Sequence, residues 1–73
     1  MYSRVVKMDC FKHNGVKFKI TWIAESWLVT NLNDLILADN KDRQVAISQA
    51  CKVYDLASTK LCGYLEARRQ LGY

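Results

Sequence analysis

Proline is absent from the sequence, and its 73 residues include only three glycines and one histidine. These absences exclude a proline-rich linker and a glycine-rich phosphate loop. No apolar run approaches the roughly 20 residues that a membrane-spanning helix needs. Lys7, Asp9 and Lys12 interrupt the N-terminal segment, which therefore does not resemble a signal peptide. We expect a cytoplasmic chain.

Cysteine and histidine are too few and too scattered for a disulfide framework or an enzyme site. The three cysteines, Cys10, Cys51 and Cys62, are odd in number and lack CxxC spacing. Cys10 and His13 have the spacing of half a zinc site, but we expect buried, reduced thiols and no metal or other cofactor. No cysteine or serine is spaced with His13 as a nucleophilic site requires, so we expect no enzyme.

The residues that are present describe one small globular domain, residues 1–73. Hydrophobic residues make up 51% of the chain and charged residues 25%. The net charge is +4, and the half after Asn40 holds six basic and three acidic residues, or +3. This excess favours an acidic partner, either nucleic acid or an acidic protein face. It is equally typical of a basic surface that maintains solubility.

Residues 4–23 alternate apolar and polar side chains around "HNG", a pattern that predicts a β-hairpin. A two-residue loop, Asn14-Gly15, would place Asp9 opposite Ile20 and bury a carboxylate. A three-residue loop that begins at His13 collects the apolar side chains on one face, so we prefer it. The pairs that it predicts are Met8 with Ile20, Cys10 with Phe18, and Val6 with Trp22.

The rest of the chain predicts helices. Residues 24–30 either extend the second strand or form a connection. A short helix follows over about 31–39, capped by Thr30 or Asn31. A second covers about 41–54, and a third runs from Ala57 or Ser58 to the glycine at position 72. The expected fold is α+β, an N-terminal hairpin (about 4–23) followed by three short helices (helical part about 31–71).

The segment "ACKVYDLASTKLCGYL" has the spacing of a helix-turn-helix. Cys51 supplies a small residue where two helices would cross, Asp55 a turn residue that tolerates unusual backbone, and Leu56 the apolar residue after the turn. Leu61 and Tyr64 would hold the second helix against the core. Residues 43–66 therefore resemble the helix-turn-helix family, although a helical hairpin with a polar turn has the same pattern.

The resemblance implies that the early second helix would meet DNA bases. Arg, Lys, Asn and Gln are the side chains that read bases with two hydrogen bonds, and none of them occupies those positions. We therefore expect weak, sequence-indifferent contact with nucleic acid. The residues assigned to it are Ser58, Thr59, Lys60, Arg68 and Arg69. Arg68 and Arg69 are also typical of a helix end that complements the helix dipole.

A protein partner is the better candidate, because an aromatic side chain rimmed by lysines is typical of a protein contact. The preferred hairpin register exposes such a face, although that face could instead pack against the helices. The residues assigned to partner binding are Phe11, Lys17, Lys19 and Trp27.

In length and layout the whole chain resembles the short RNA-polymerase-binding transcription inhibitors and antiterminators of lytic phages, Xanthomonas phages among them. This resemblance implies binding to host RNA polymerase, loss of the promoter-recognition factor and read-through of terminators. A dimeric helix-turn-helix repressor or activator that binds DNA is the competing hypothesis.

Overall fold

The computed structural model describes residues 7–73, which form a four-stranded antiparallel sheet followed by two helices. The strands pair in sequence order, and the helices pack against one side of the sheet. The elements are β1 (Lys7–His13), β2 (Val16–Ile23), β3 (Ser26–Thr30), β4 (Ile36–Asn40), α1 (Arg43–Lys60) and α2 (Tyr64–Leu71). The predicted fold, a hairpin followed by three helices, is therefore wrong.

The first hairpin exists, but its loop has two residues and not three. Asn14 and Gly15 have φ values of 54° and 78°, the left-handed pair that a type I′ turn requires. This turn sets Asp9 opposite Ile20, the arrangement that the sequence argument rejected. Asp9 is not buried there, because β1 is an edge strand. Its carboxylate is 68% exposed and lies 3.4 Å from the guanidinium of Arg43.

The predicted cross-strand pairs are wrong for the same reason. Met8 lies opposite Thr21, and Cys10 lies opposite Lys19. The predicted pair of Val6 with Trp22 involves a residue outside the described ones. A shift of one residue exchanges the two faces of a strand. Phe11 therefore lies opposite Phe18.

The core lies between the sheet and the helices. Its largest fully buried side chains are Phe18, Ile20, Val29, Leu37 and Val53. Two consecutive residues of β4, Leu37 and Ala38, are both buried. In a regular strand, consecutive side chains point to opposite faces of the sheet, so only one of the two would face the helices. The register between β3 and β4 shifts at Val29, so that Leu37 is the extra residue of a β-bulge.

The first predicted helix, about 31–39, is wrong, because residues 31–35 are a loop and Ile36 begins β4. The side chain of Asn31 accepts hydrogen bonds from the backbone N–H of Asn33 and of Leu35. An asparagine that can cap a helix can also close a turn in this way. Strand β3 offers residues 36–40 a partner, which no local pattern reveals. Residues 24–30, left open, form a turn and β3.

Helix α1 runs without a break through the predicted turn at Asp55. Asp42 caps it, because its side chain accepts hydrogen bonds from the backbone N–H groups of Gln44 and Val45 in the first turn. Its buried stripe is Ala46, Ala50, Val53 and Ala57, with spacings of four, three and four residues. The stripe continues past the proposed turn, so there is no reason for the helix to stop there.

The chain turns instead at residues 61–63. Leu61 ends α1 in the left-handed conformation, with φ of 54°, and its N–H bonds the carbonyl of Ala57. Gly63 then precedes α2. The turn between two helices that was predicted at Asp55 therefore lies about six residues later in the chain. Neither helix within residues 7–73 has the length and apolar character to cross a membrane.

Candidate functional site

A groove separates the β3–β4 loop from the α1–α2 turn and the start of α2. Two adjoining cavities of about 320 and 520 Å³ form it, and they share Leu35, Gly63 and Tyr64. We call it the leucine groove. Its lining residues are Asn31, Asp34, Leu35, Ile36, Ala57, Ser58, Cys62, Gly63, Tyr64, Leu65 and Arg68.

Exposed aliphatic side chains line the leucine groove or lie near it in the chain. Leu65 is 69% exposed and Leu35 55% exposed, and both line the groove. Ile36 also lines it, and the exposed Leu32 lies in the same loop, between the lining residues Asn31 and Asp34. Leu61, 91% exposed, lies in the turn beside it. Single exposed leucines are common, but a cluster marks an interaction surface.

The leucine groove has two charged lining residues, of which Asp34 is paired within residues 7–73 and Arg68 is not. Asp34 is paired, because its carboxylate lies 2.8 Å from Nζ of Lys19. Arg68 forms no salt bridge with any residue of 7–73, and its buried Nε has no hydrogen-bond partner there. Because Arg68 lines the groove and its charge is not paired within residues 7–73, this arginine suits a carboxylate or carbonyl from a partner.

The structure does not bring the predicted partner-binding residues together. Lys17 and Lys19 lie on the face of the sheet that points away from the helices. Phe11 lies on the opposite face, where its ring centroid is 5.6 Å from that of Phe18. Trp27 is half-buried and packs against the core. Phe11 therefore packs against the core, whereas the face that carries Lys17 and Lys19 does not pack against the helices.

The predicted nucleic-acid residues are also divided. Ser58, Thr59 and Lys60 are exposed in the last turn of α1 and do not begin a second helix. Ser58 and Arg68 line the leucine groove. Arg69 lies 3.8 Å from the carboxylate of Glu66, one turn away.

The cysteines are free and differ in exposure. Cys10 is exposed, so the expectation of a buried thiol is wrong for it, whereas Cys51 and Cys62 are half-buried. Burial, with a smaller contribution from the Asp55 carboxylate, raises the pKa of the Cys51 thiol. Asp55 itself accepts hydrogen bonds from the first hairpin, at 2.8 Å from His13 and 3.2 Å from Asn14. No three metal-ligating side chains converge within residues 7–73.

Sequence reasoning missed the leucine groove because it assigned residues 31–39 to a helix, whereas Leu35 lies in a loop and Ile36 begins β4. The available signal was the apolar Leu61 immediately before the Cys62-Gly63 turn. Comparisons with known protein families, with curated proteins and with solved structures find no match to this chain. The geometry of the site therefore carries the functional argument.

Proposed function

We propose that the chain is a non-enzymatic regulator that binds a larger protein through the leucine groove. The observation that carries this proposal is the exposure of the aliphatic cluster around the groove in so small a domain. Fully burying a leucine side chain contributes about 1.5 to 3 kcal/mol. Leu35 and Leu65, which are 55% and 69% exposed, thus offer a partner about 2 to 4 kcal/mol together, which is about 30- to 1,000-fold in affinity.

Host RNA polymerase is the candidate partner, with inhibition of initiation and promotion of antitermination as the outcome. The resemblance in length and layout to short phage regulators supports this choice. An apolar groove with one unpaired arginine also fits a protein better than a DNA duplex, whose exposed backbone is charged. As a phage-type protein, the chain would act in the cytoplasm of the host.

Retention of RNA polymerase from host lysate on the immobilised chain tests the proposal. We expect the double variant Leu35→Ser/Leu65→Ser to retain at least about tenfold less polymerase than the wild type. It should remain folded, because both side chains are exposed. Met8→Ser is the matched control, since Met8 is 65% exposed and lies on the other face of the sheet.

Transcription in vitro with purified polymerase provides the functional arm. The wild-type chain and Met8→Ser should both inhibit initiation and increase read-through, and the double variant should do neither. If the wild type retains no polymerase and binds one DNA sequence tightly, the proposal is wrong and the chain is a DNA-binding repressor or activator.

A further inference from the structure

The two tryptophans of the chain lie side by side at one end of the sheet. Trp22 on β2 and Trp27 on β3 are cross-strand partners, and their ring centroids are 5.1 Å apart at an interplanar angle of 55°. Both are half-buried, so part of each indole meets solvent. No other tryptophan occurs in the sequence.

Basic side chains surround these indoles. A cleft of about 310 Å³ is lined by Lys7, Trp22, Trp27 and Lys41, and we call it the tryptophan cleft. The guanidinium of Arg43 lies 5.7 Å from the ring centroid of Trp27, within cation–π range. The described residues form no salt bridge to either lysine. The cleft therefore presents aromatic surface together with two unpaired positive charges.

A cross-strand tryptophan pair also stabilises a hairpin without any ligand. The β2–β3 turn benefits from that support, because Ala24 and Glu25 both adopt positive φ values, 54° and 60°. Hairpin stability explains the two rings but gives no role to Lys7 and Lys41, the other two residues that line the cleft. The lysines are better explained by an anion that lies beside an aromatic group.

We propose that the tryptophan cleft binds unpaired nucleotides of a single-stranded nucleic acid. Every base has a face that stacks on an indole, and lysines bind the phosphates. Trp22 and Trp27 would provide the stacking surface, and Lys7 and Lys41 the phosphate contacts. This site is separate from the leucine groove, with which it shares no lining residue. It adds a nucleic-acid contact to the proposed protein contact.

Tryptophan fluorescence measures this binding without a label, because both emitters lie in the cleft. We expect a single-stranded oligonucleotide of about ten nucleotides to quench the emission in a saturable manner. With two phosphates contacted, the dissociation constant should rise about sevenfold between about 50 and about 200 mM salt. The strand should bind at least about tenfold more tightly than a nucleoside monophosphate or a duplex of the same length.

Neutral lysine variants distinguish the cleft from a diffuse basic surface. Lys7→Gln and Lys41→Gln should each lower the slope of log affinity against log salt by about 0.7. Lys52→Gln is the matched control, because Lys52 is an exposed lysine on α1 that does not line the cleft. Absence of quenching, equal loss with Lys52→Gln, or equal affinity for the duplex or the monophosphate would each overturn the proposal.

The same variants separate this inference from the proposed function. Lys7→Gln and Lys41→Gln should retain RNA polymerase, and Leu35→Ser/Leu65→Ser should still bind the oligonucleotide. If the wild type quenches with the oligonucleotide but retains no polymerase, only the protein-binding proposal fails. If it retains polymerase without any quenching, only the inference about the tryptophan cleft fails.

Discussion

Leu61→Gly should make the domain more stable while weakening the proposed complex with RNA polymerase. Leu61 ends α1 in the left-handed conformation and is 91% exposed. That conformation costs a residue with a Cβ about 1 to 2 kcal/mol. Glycine avoids this cost but loses about 0.5 to 1 kcal/mol through the greater freedom of the unfolded chain. The substitution should therefore stabilise the fold by about 0.5 to 1 kcal/mol.

Thermal and urea unfolding measure this effect. For a domain of this size we expect the midpoint temperature to rise by about 2 to 8 °C. Leu61→Ala is the matched control, because alanine removes the exposed side chain but retains the cost of the left-handed backbone. Its stability should stay within about 0.5 kcal/mol of the wild type.

The two variants should behave alike in retaining RNA polymerase, since both lack the leucine side chain beside the leucine groove. A fall in stability with Leu61→Gly would refute the reasoning, because it would mean that the side chain packs in solution or that α1 does not end at this residue. Higher stability with undiminished polymerase retention would remove Leu61 from the binding surface.

Three further perturbations address the fold. Phe11→Ala should cost about 2 kcal/mol in urea unfolding, because the ring packs on Phe18; an unchanged midpoint would restore the exposed position that the sequence predicted. Ala24→Asn with Glu25→Gly should add about 1 kcal/mol, since both residues occupy left-handed turn positions; loss of stability would contradict that turn. The raised pKa of Cys51 means that the folded state favours the neutral thiol. This stabilisation of the fold is complete below the pKa of the unfolded chain, near 8.5, and is lost as pH rises through the higher pKa of the folded chain. Cys51→Ala should abolish this decline in unfolding free energy measured from pH 8 to 10.5, and an unchanged profile would exclude the thiol as its source.

Sequence patterns over a few residues predicted those parts of the fold that neighbouring residues determine. The Asn14-Gly15 dipeptide specifies a tight turn because both residues accept positive φ, and a hairpin does form there. Helical periodicity also predicted a helix over about 41–54, and residues 43–54 do lie in α1. The predicted register of the hairpin was wrong, because it was chosen to avoid the cost of burying Asp9 opposite Ile20. Arg43, 34 residues away, and an exposed edge strand remove that cost.

The prediction of a helix over residues 31–39 was wrong for a different reason. Asn31 has the chemistry of a cap in a helix and in a turn alike, and "LIL" has too few residues to show a period. The neighbouring strand β3 decides the outcome. Leu61 was a local signal near the leucine groove, but the shape of the groove could not be predicted, because its segments meet only after α1 and α2 pack on the sheet.

The order of elements along the chain has a consequence for synthesis. Within residues 7–73 the four strands precede both helices, so a ribosome completes the meander before it makes the layer that covers it. At about 5 to 20 residues per second, the helices follow roughly 2 to 7 seconds later. During that interval Phe18, Ile20 and Val29 have no helix to pack against. A sheet that forms before the helices dock on it leaves these apolar side chains uncovered, and folding intermediates of that kind are prone to aggregate.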